Sequence, residues 1–380
     1  MSKNYQVFLL ILLPFLISCA VSRHSKNEGA INQLTFLSQY SVPYNQQFEK
    51  TTIGGLSGID YNPVKEEYYF ISDDRSQFNP ARFYKASISI HHDKIDSVIF
   101  LQTIFLKDAK GNFYPNSNKD PGHAPDPEAL RFDAKNQTFI WSSEGERIVD
   151  PQKAILENPA VTEINKDGQY IDTFQLPYQT VMSAKDFGPR QNGVFEGLTF
   201  TNDYRNLFVS VEEPLHQDGP RAGTGDSTGI VRFIKWDIAS KKPLAQYAYK
   251  IDPVAYPPIT PSAFKINGIS DILSIGKNKF LVIERSYSTG RLACTIKIFL
   301  ADVEHAENIA GVSSLKNKPD VKMISKRLLL NMDNLGFYID NIEGVTFGPT
   351  LSNGKRSLLF IADNNFNSLE KSQFLLFEID

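Results

Sequence analysis

One pattern recurs five times along the chain and limits what it can fold into. The copies are Leu56-Ser57-Gly58-Ile59-Asp60-Tyr61, Pro127-Glu128-Ala129-Leu130-Arg131-Phe132, Phe195-Glu196-Gly197-Leu198-Thr199-Phe200, Ile266-Asn267-Gly268-Ile269-Ser270-Asp271 and Ile342-Glu343-Gly344-Val345-Thr346-Phe347. Their second residues, Ser57, Glu128, Glu196, Asn267 and Glu343, lie 71, 68, 71 and 76 residues apart. A fixed period of this kind signals a repeated structural unit.

Each marker is followed by a short apolar run that ends in an acid at Asp73, Glu144, Glu212, Glu284 or Asp363, with offsets of 16, 16, 16, 17 and 20 residues. The last offset contains the loop extension Ser352 to Arg356. Two β-rich runs split by Asn62-Pro63 or Asn202-Asp203 read as an antiparallel hairpin. Third strands are expected at 83–90, 231–238 and 295–303, and fourth strands at 98–106, 170–176, 244–251 and 322–330. Four strands per repeat is the anatomy of a propeller blade. The fifth repeat supplies only one further strand, 374–379, and the missing one can come from 33–42, which would close the ring and remove exposed sheet edges. The expectation is therefore an all-β, five-bladed β-propeller. The intervals 107–126 and 303–340 leave room for a sixth blade, and a β-sandwich is the competing arrangement. Long helical periodicity is missing, which argues against a doubly wound α/β fold.

With hairpins as inner strands, marker and acid sit at one end of the channel. Asp73, Asp74, Glu128, Glu144, Glu196, Glu212, Glu213, Glu284, Glu343 and Asp363 would then surround a single mouth, with Ser57 and Asn267 in the non-acidic marker slots. Carboxylates so crowded repel one another unless cations intervene. Calcium takes six to eight oxygen ligands in flexible geometry, so the expected metal set is Asp73, Glu128, Glu196, Glu212, Asn267, Glu343 and Asp363. The histidines show no paired zinc spacing. Arg75, Arg147 and Arg285 follow the acids closely; they could pair with them or grip a phosphate bidentately, so the acids could equally be turn residues tied to arginines. Gly54 to Gly58 fails the spacing of a nucleophile elbow, and 223–229 opens no helix that would cradle a phosphate.

Charge offers no bulk attraction for nucleic acid: 40 Lys and Arg stand against 43 Asp and Glu, a formal net charge of -3. The start of the chain carries its own signal. Val7 to Ile17 is uncharged and mostly apolar, too short to span a bilayer but suited to a signal-peptide core, and it is followed by Leu16-Ile17-Ser18-Cys19. Those four residues resemble a bacterial lipobox. The expected division is a signal peptide at 1–18, a tether at 19–30 lipidated at Cys19, and the propeller at 31–380, on a monomer held at the bacterial cell envelope by its lipid alone. Cys294 then has no partner and reads as a small core residue.

The blocks GGLSGIDYNP with YYFISDD, DPEALRF with SSEGER, VFEGLTF with VSVEEP, and NIEGVTFGP with ADNNF together resemble the phytase-like esterase family, over roughly residues 50–380. The resemblance implies an exported domain rich in Glu and Asp that hydrolyses phosphoesters. On this reading calcium held by the acids polarises a small phosphorylated substrate, Glu144 or Glu284 serves as base, and Arg75, Arg147 and Arg285 neutralise the phosphate. Two alternatives are a non-catalytic binding module with a structural cation, and a lactonase or sugar hydrolase on the same scaffold.

Overall fold

A computed structural model describes residues 31–318 and 320–380; the expected signal segment, tether and Cys19 lie outside them. The described residues form five four-stranded antiparallel sheets. Blade 1 comprises Leu56–Asn62, Glu67–Ser72, Arg82–His91 and Lys94–Phe105, and blade 2 Pro127–Asp133, Thr138–Ser143, Ala160–Ile164 and Tyr170–Thr173. Blade 3 comprises Phe195–Phe200, Asn206–Val211, Gly229–Asp237 and Pro243–Ile251, and blade 4 Lys265–Gly276, Lys279–Ser288, Thr295–Asp302 and Ser325–Asn331. Blade 5 takes Asn341–Phe347, Ser357–Asp363 and Ser372–Ile379 from the end of the chain and Leu34–Val42 from its start. That closing strand pairs antiparallel with the last one, from Leu34 opposite Ile379 to Val42 opposite Ser372. The fold is a five-bladed β-propeller. The intervals 107–126 and 303–340 that left room for a sixth blade hold an isolated bridge between Lys107 and Phe113, two 3-10 turns, the fourth strand of blade 4 and irregular loops instead.

Alternation along the strands builds the core. Residues two apart share a face, and each blade presents an apolar face to either neighbour. Leu56, Ile59 and Phe70 of blade 1 pack on Ile361, Phe374 and Leu376 of blade 5. Tyr69 and Ile71, on the other face of the same strands, pack on Leu130 and Trp141 of blade 2. Equivalent clusters join blades 2 and 3, 3 and 4, and 4 and 5.

The first strand of every blade lines the axis, and here the marker glycines show their purpose. A Cβ on Gly197 would stand 2.5 Å from the Ile272 nitrogen of blade 4, and one on Gly58 would stand 2.8 Å from the Glu128 carbonyl of blade 2. Inner strands therefore approach backbone to backbone, and only glycine fits at those two points. Below the mouth the axis is blocked. Arg131 of blade 2 reaches across to Asp271 of blade 4 at 2.8 and 3.0 Å, and also donates to the carbonyls of Ile272 and Val345. The channel is thus a cleft with a floor rather than a pore.

Candidate functional site

The acids gather at one mouth because of a bulge. In blades 1, 2, 3 and 5 the register between first and second strands shifts beside the marker, between Leu56 and Gly58, Pro127 and Leu130, Phe195 and Leu198, and Ile342 and Gly344. A bulge re-aims a side chain that would otherwise lie in the pleat, and Glu128, Glu196 and Glu343 are the side chains at these positions. The acid of the second run lies beside them, just beyond the strand end at Asp73, Glu144 and Glu212, and as the last strand residue at Asp363.

These carboxylates form linked groups. Asp73, Glu343 and Asp363 offer oxygens all within 4.8 Å of one another; so do Asp126, Glu128 and Glu144, and so do Glu144, Glu196 and Glu212. Asp126 was not expected from the sequence. It precedes the bulged strand in the segment His123-Ala124-Pro125-Asp126-Pro127, and Glu144 donates its backbone N–H to the Asp126 carbonyl at 3.1 Å. All eight acids are buried or nearly so, and burial is the main reason their pKa values rise. Repulsion by neighbouring acids adds to it for Asp73, Glu128, Glu144, Glu196 and Asp363, which all stand well above the usual carboxylate range. Burial also pushes Asp126 up to about 6 and Glu343 to about 7, against the opposing pull of Arg75 and Arg285. Glu144 Oε2, Glu343 Oε2 and Asp363 Oδ1 are buried with no hydrogen-bond partner among the described residues. Buried, unpartnered carboxylate oxygens in groups of three fit a hard cation with oxygen ligands.

Hydroxyls hold the strands that carry these acids. Ser57 Oγ donates to the Glu128 carbonyl at 2.6 Å, Ser142 Oγ to the Glu196 carbonyl at 3.1 Å and Ser270 Oγ to the Ile342 carbonyl at 3.0 Å. The non-acidic marker Ser57 therefore positions the next blade's acid. Asp74 is likewise structural: it accepts from the N–H groups of Gln77, Phe78 and Asn79 and pairs with buried Arg82 at 2.7 Å.

Blade 4 departs from the pattern, and two expected residues fall outside the cluster. Its marker Asn267 lies in regular register opposite Ser286, the bulge being displaced to the step between Ile269 and Asp271. The second strand also continues past Glu284 to Ser288. In blade 5 Asp363 pairs with the residue two before the marker, Asn341; in blade 4 the residue so paired is Ser288, opposite Lys265. Glu284 therefore lies four residues short of the cluster. It accepts from Tyr249 at 2.9 Å, from Lys326 at 2.5 Å and from Asn267 Nδ2 at 3.0 Å. The expectations that Glu284 is a base and Asn267 a cation ligand do not fit this geometry. Alternation sends the next residue, Arg285, to the other face and so to the mouth. There it binds Asn341 Oδ1 at 2.7 Å and Glu212 Oε1 at 2.9 Å, with Glu343 at 3.5 Å. Asn341, also missed in the sequence, bridges Arg285 to Glu343 by donating at 2.8 Å.

Of the other two arginines, Arg75 joins the site, pairing with Glu146 at 2.9 Å and lying 3.6 Å from Asp126. Its Nε and Nη2 are buried without a hydrogen-bond partner. Arg147 is turned away, donating to the carbonyls of Ser183 and Lys185. The cleft encloses about 790 Å³ and is lined by Arg75, Asp126, Glu128, Glu196, Glu212, Arg285 and Glu343 among others.

A family model described as phytase-like, "esterase-like activity of phytase", matches residues 51–366. The chain belongs to this family. The match runs from just before the first bulged strand of this phytase-like protein to the loop beyond Asp363. No curated protein matches the chain in sequence. Among solved structures it is similar to an endo-arabinase from Bacteroides thetaiotaomicron (11% identity, TM-score 0.43, covering 88% of this chain and 96% of that one). It is also similar to an α-L-arabinofuranosidase from Lactobacillus brevis (9% identity, TM-score 0.44, 86% and 91%) and to a gluconolactonase from Xanthomonas campestris (10% identity, TM-score 0.34, 91% and 89%).

Proposed function

We propose that this protein is a calcium-assisted phosphoesterase whose reaction takes place in the acidic cleft. The observation that carries the reading is the set of linked carboxylate groups with unpartnered buried oxygens, flanked by two arginines. Asp73, Glu343 and Asp363 would hold one cation, and Glu144, Glu196 and Glu212 a second. Bound calcium supplies positive charge that stabilises developing negative charge on a phosphoryl oxygen.

The chain's own groups supply the rest. Arg75 and Arg285 line the cleft as cations that can face a phosphate, with Nε and Nη2 of Arg75 and Nε of Arg285 making no hydrogen bond among the described residues. Arg285 is kept charged despite burial by Glu343 and Glu212. Asp126, with a pKa of about 6 and facing the cleft, accepts the proton of an attacking water near neutral pH. The water oxygen bonds to phosphorus, the ester P–O bond breaks, the leaving oxygen takes a proton from bulk water to depart as the alcohol, and Asp126 returns its proton to solvent. Family membership supports the reaction class. The lipobox reading supports a lipid-anchored position at the bacterial cell envelope.

The test is phosphate-ester cleavage by the purified protein with calcium and with a chelator. Release that depends on calcium supports the reading. Folded, calcium-saturated protein that cleaves neither mono- nor diesters contradicts it and leaves the binding-module reading, while cleavage of esters without phosphorus favours the lactonase or sugar-hydrolase reading.

A further inference from the structure

The wall of the cleft has a chemistry its floor does not share. Phe78 and Phe366, from blades 1 and 5, stack with centroids 4.7 Å apart at 26°. Phe264 and Tyr287 of blade 4 lie 6.3 Å apart, and Leu292 and Leu369 complete the rim. Phe78 is 62% exposed, Phe264 55%, Leu369 84% and Leu292 93%. Apolar side chains left this open around a charged cavity mark a place where something apolar rests.

The cations point the same way. Among the described residues the cleft is lined by only three, Arg75, Arg285 and Arg291, with no lysine. Arg285 is held by Glu212 and Asn341, and Arg291 lies over the Tyr256 ring at 3.8 Å from its centroid. Calcium on the carboxylates would add positive charge at the floor, whereas the apolar wall has no cation of its own apart from Arg291. A polyol bearing many phosphates would place its outer groups against phenylalanine and leucine.

Building on the phosphoesterase reading, we propose that the substrate carries a single phosphate group and an aromatic organic part, the ring resting on the wall formed by Phe78, Phe366, Phe264 and Leu292. A polyphosphorylated polyol is not the preferred substrate.

The test uses two 2,2,2-trifluoroethyl phosphodiesters with the same ring-free leaving group, their second ester being methyl or benzyl, on calcium-loaded protein. The benzyl ester is expected to show a KM about tenfold lower at similar kcat, the effect of covering one aromatic ring. Leu292→Ser and Phe78→Ala should each reduce that preference at least threefold, through a raised KM for the benzyl ester; Leu292 is so exposed that its replacement leaves folding intact. Equal KM values for the two esters, or faster release from myo-inositol hexakisphosphate than from the benzyl diester, would overturn the proposal. Should neither diester be cleaved, the phosphoesterase reading falls and the wall is read by calorimetry with benzylphosphonate and methylphosphonate. Tighter binding of the benzyl compound, lost in Phe78→Ala, would sustain the aromatic subsite. Equal binding, or binding of neither, would refute it.

Discussion

Glu144 of blade 2 and Glu284 of blade 4 end similar runs of sequence, TFIWSSE and FLVIE, and have opposite fates. Glu144 lies beyond its strand, close to four other carboxylates, with one oxygen unpartnered. Glu284 lies within its strand, bound by a lysine, a tyrosine and an amide. What separates them is strand geometry. Blade 2 has its bulge at the marker and stops at Ser143, whereas blade 4 keeps regular register there and runs on to Ser288. Burial is tolerable for Glu284 because charge and hydrogen bonds compensate it; Glu144 has no cation beside it and a single backbone N–H, that of Val194, on Oε1, with Oε2 left unpartnered. An acid that the fold satisfies is structural, and one that it leaves wanting is available to a ligand.

Exchanging each for its amide breaks the comparison most sharply. Glu144→Gln is expected to lower phosphoester turnover on the order of 10³-fold and to weaken the calcium-induced rise in Tm. Glu284→Gln should leave the calcium response intact, shown by the same titration. If both amides abolish that response equally, the distinction between the two blades fails.

Lys326→Met tests the satisfied side. It leaves Glu284 buried against Tyr249 without its cation and should destabilise the fold by about 3 kcal/mol in chemical denaturation, with the calcium response preserved. A loss below about 1 kcal/mol would show that the lysine contributes little.

pH sharpens the unsatisfied side. The clustered acids have folded pKa values raised above their unfolded ones, Asp126 to about 6 and Glu343 to about 7. The folded state therefore binds more protons than the unfolded state between about pH 4 and 7, so the calcium-free protein should lose stability as pH rises through that window. Calcium requires the ionised forms, so its stabilisation should grow over the same window. Tm measured from pH 5 to 8 with and without calcium checks both signs.

The smallest expected effect is that of Ser57→Ala, which removes a hydrogen bond to the Glu128 carbonyl and should cost about 1 kcal/mol. Its value lies in direction: the calcium affinity should weaken slightly, through Glu128, though Ser57 itself is no ligand.

Most of the architecture was legible because repetition and alternation are sequence properties. The period, the hairpins and the closing strand 33–42 all follow from them, and the observed ends differ by a few residues. Strand parity was harder. The odd offset of 17 at Glu284, against 16 in the first three repeats and 20 in the last, was the visible sign of altered register, since a one-residue slip sends a side chain to the opposite face. Asp126 and Asn341 both stand two residues before their markers, but the same slot holds Gly55, Val194 and Lys265 in the other repeats, so no recurring residue type marks it and only the folded chain brings them in. Arg147 looked equivalent to Arg75 and Arg285 by its position after an acid, but the extra hairpin Glu146–Ile148 carries it towards the Ser183 loop. The plug between Arg131 and Asp271 joins residues 140 positions apart, which no local pattern reveals.

The central claim is that the carboxylates at the mouth form a cation site, and a calcium titration of Tm at pH 7.5 tests it most directly. With calcium at 100 times its dissociation constant each site should add about 2.7 kcal/mol, seen as a rise of several degrees from which Glu196→Gln removes the share of its own site and leaves that of Asp73, Glu343 and Asp363. An unchanged Tm across the whole titration, in protein of verified fold, would contradict the account.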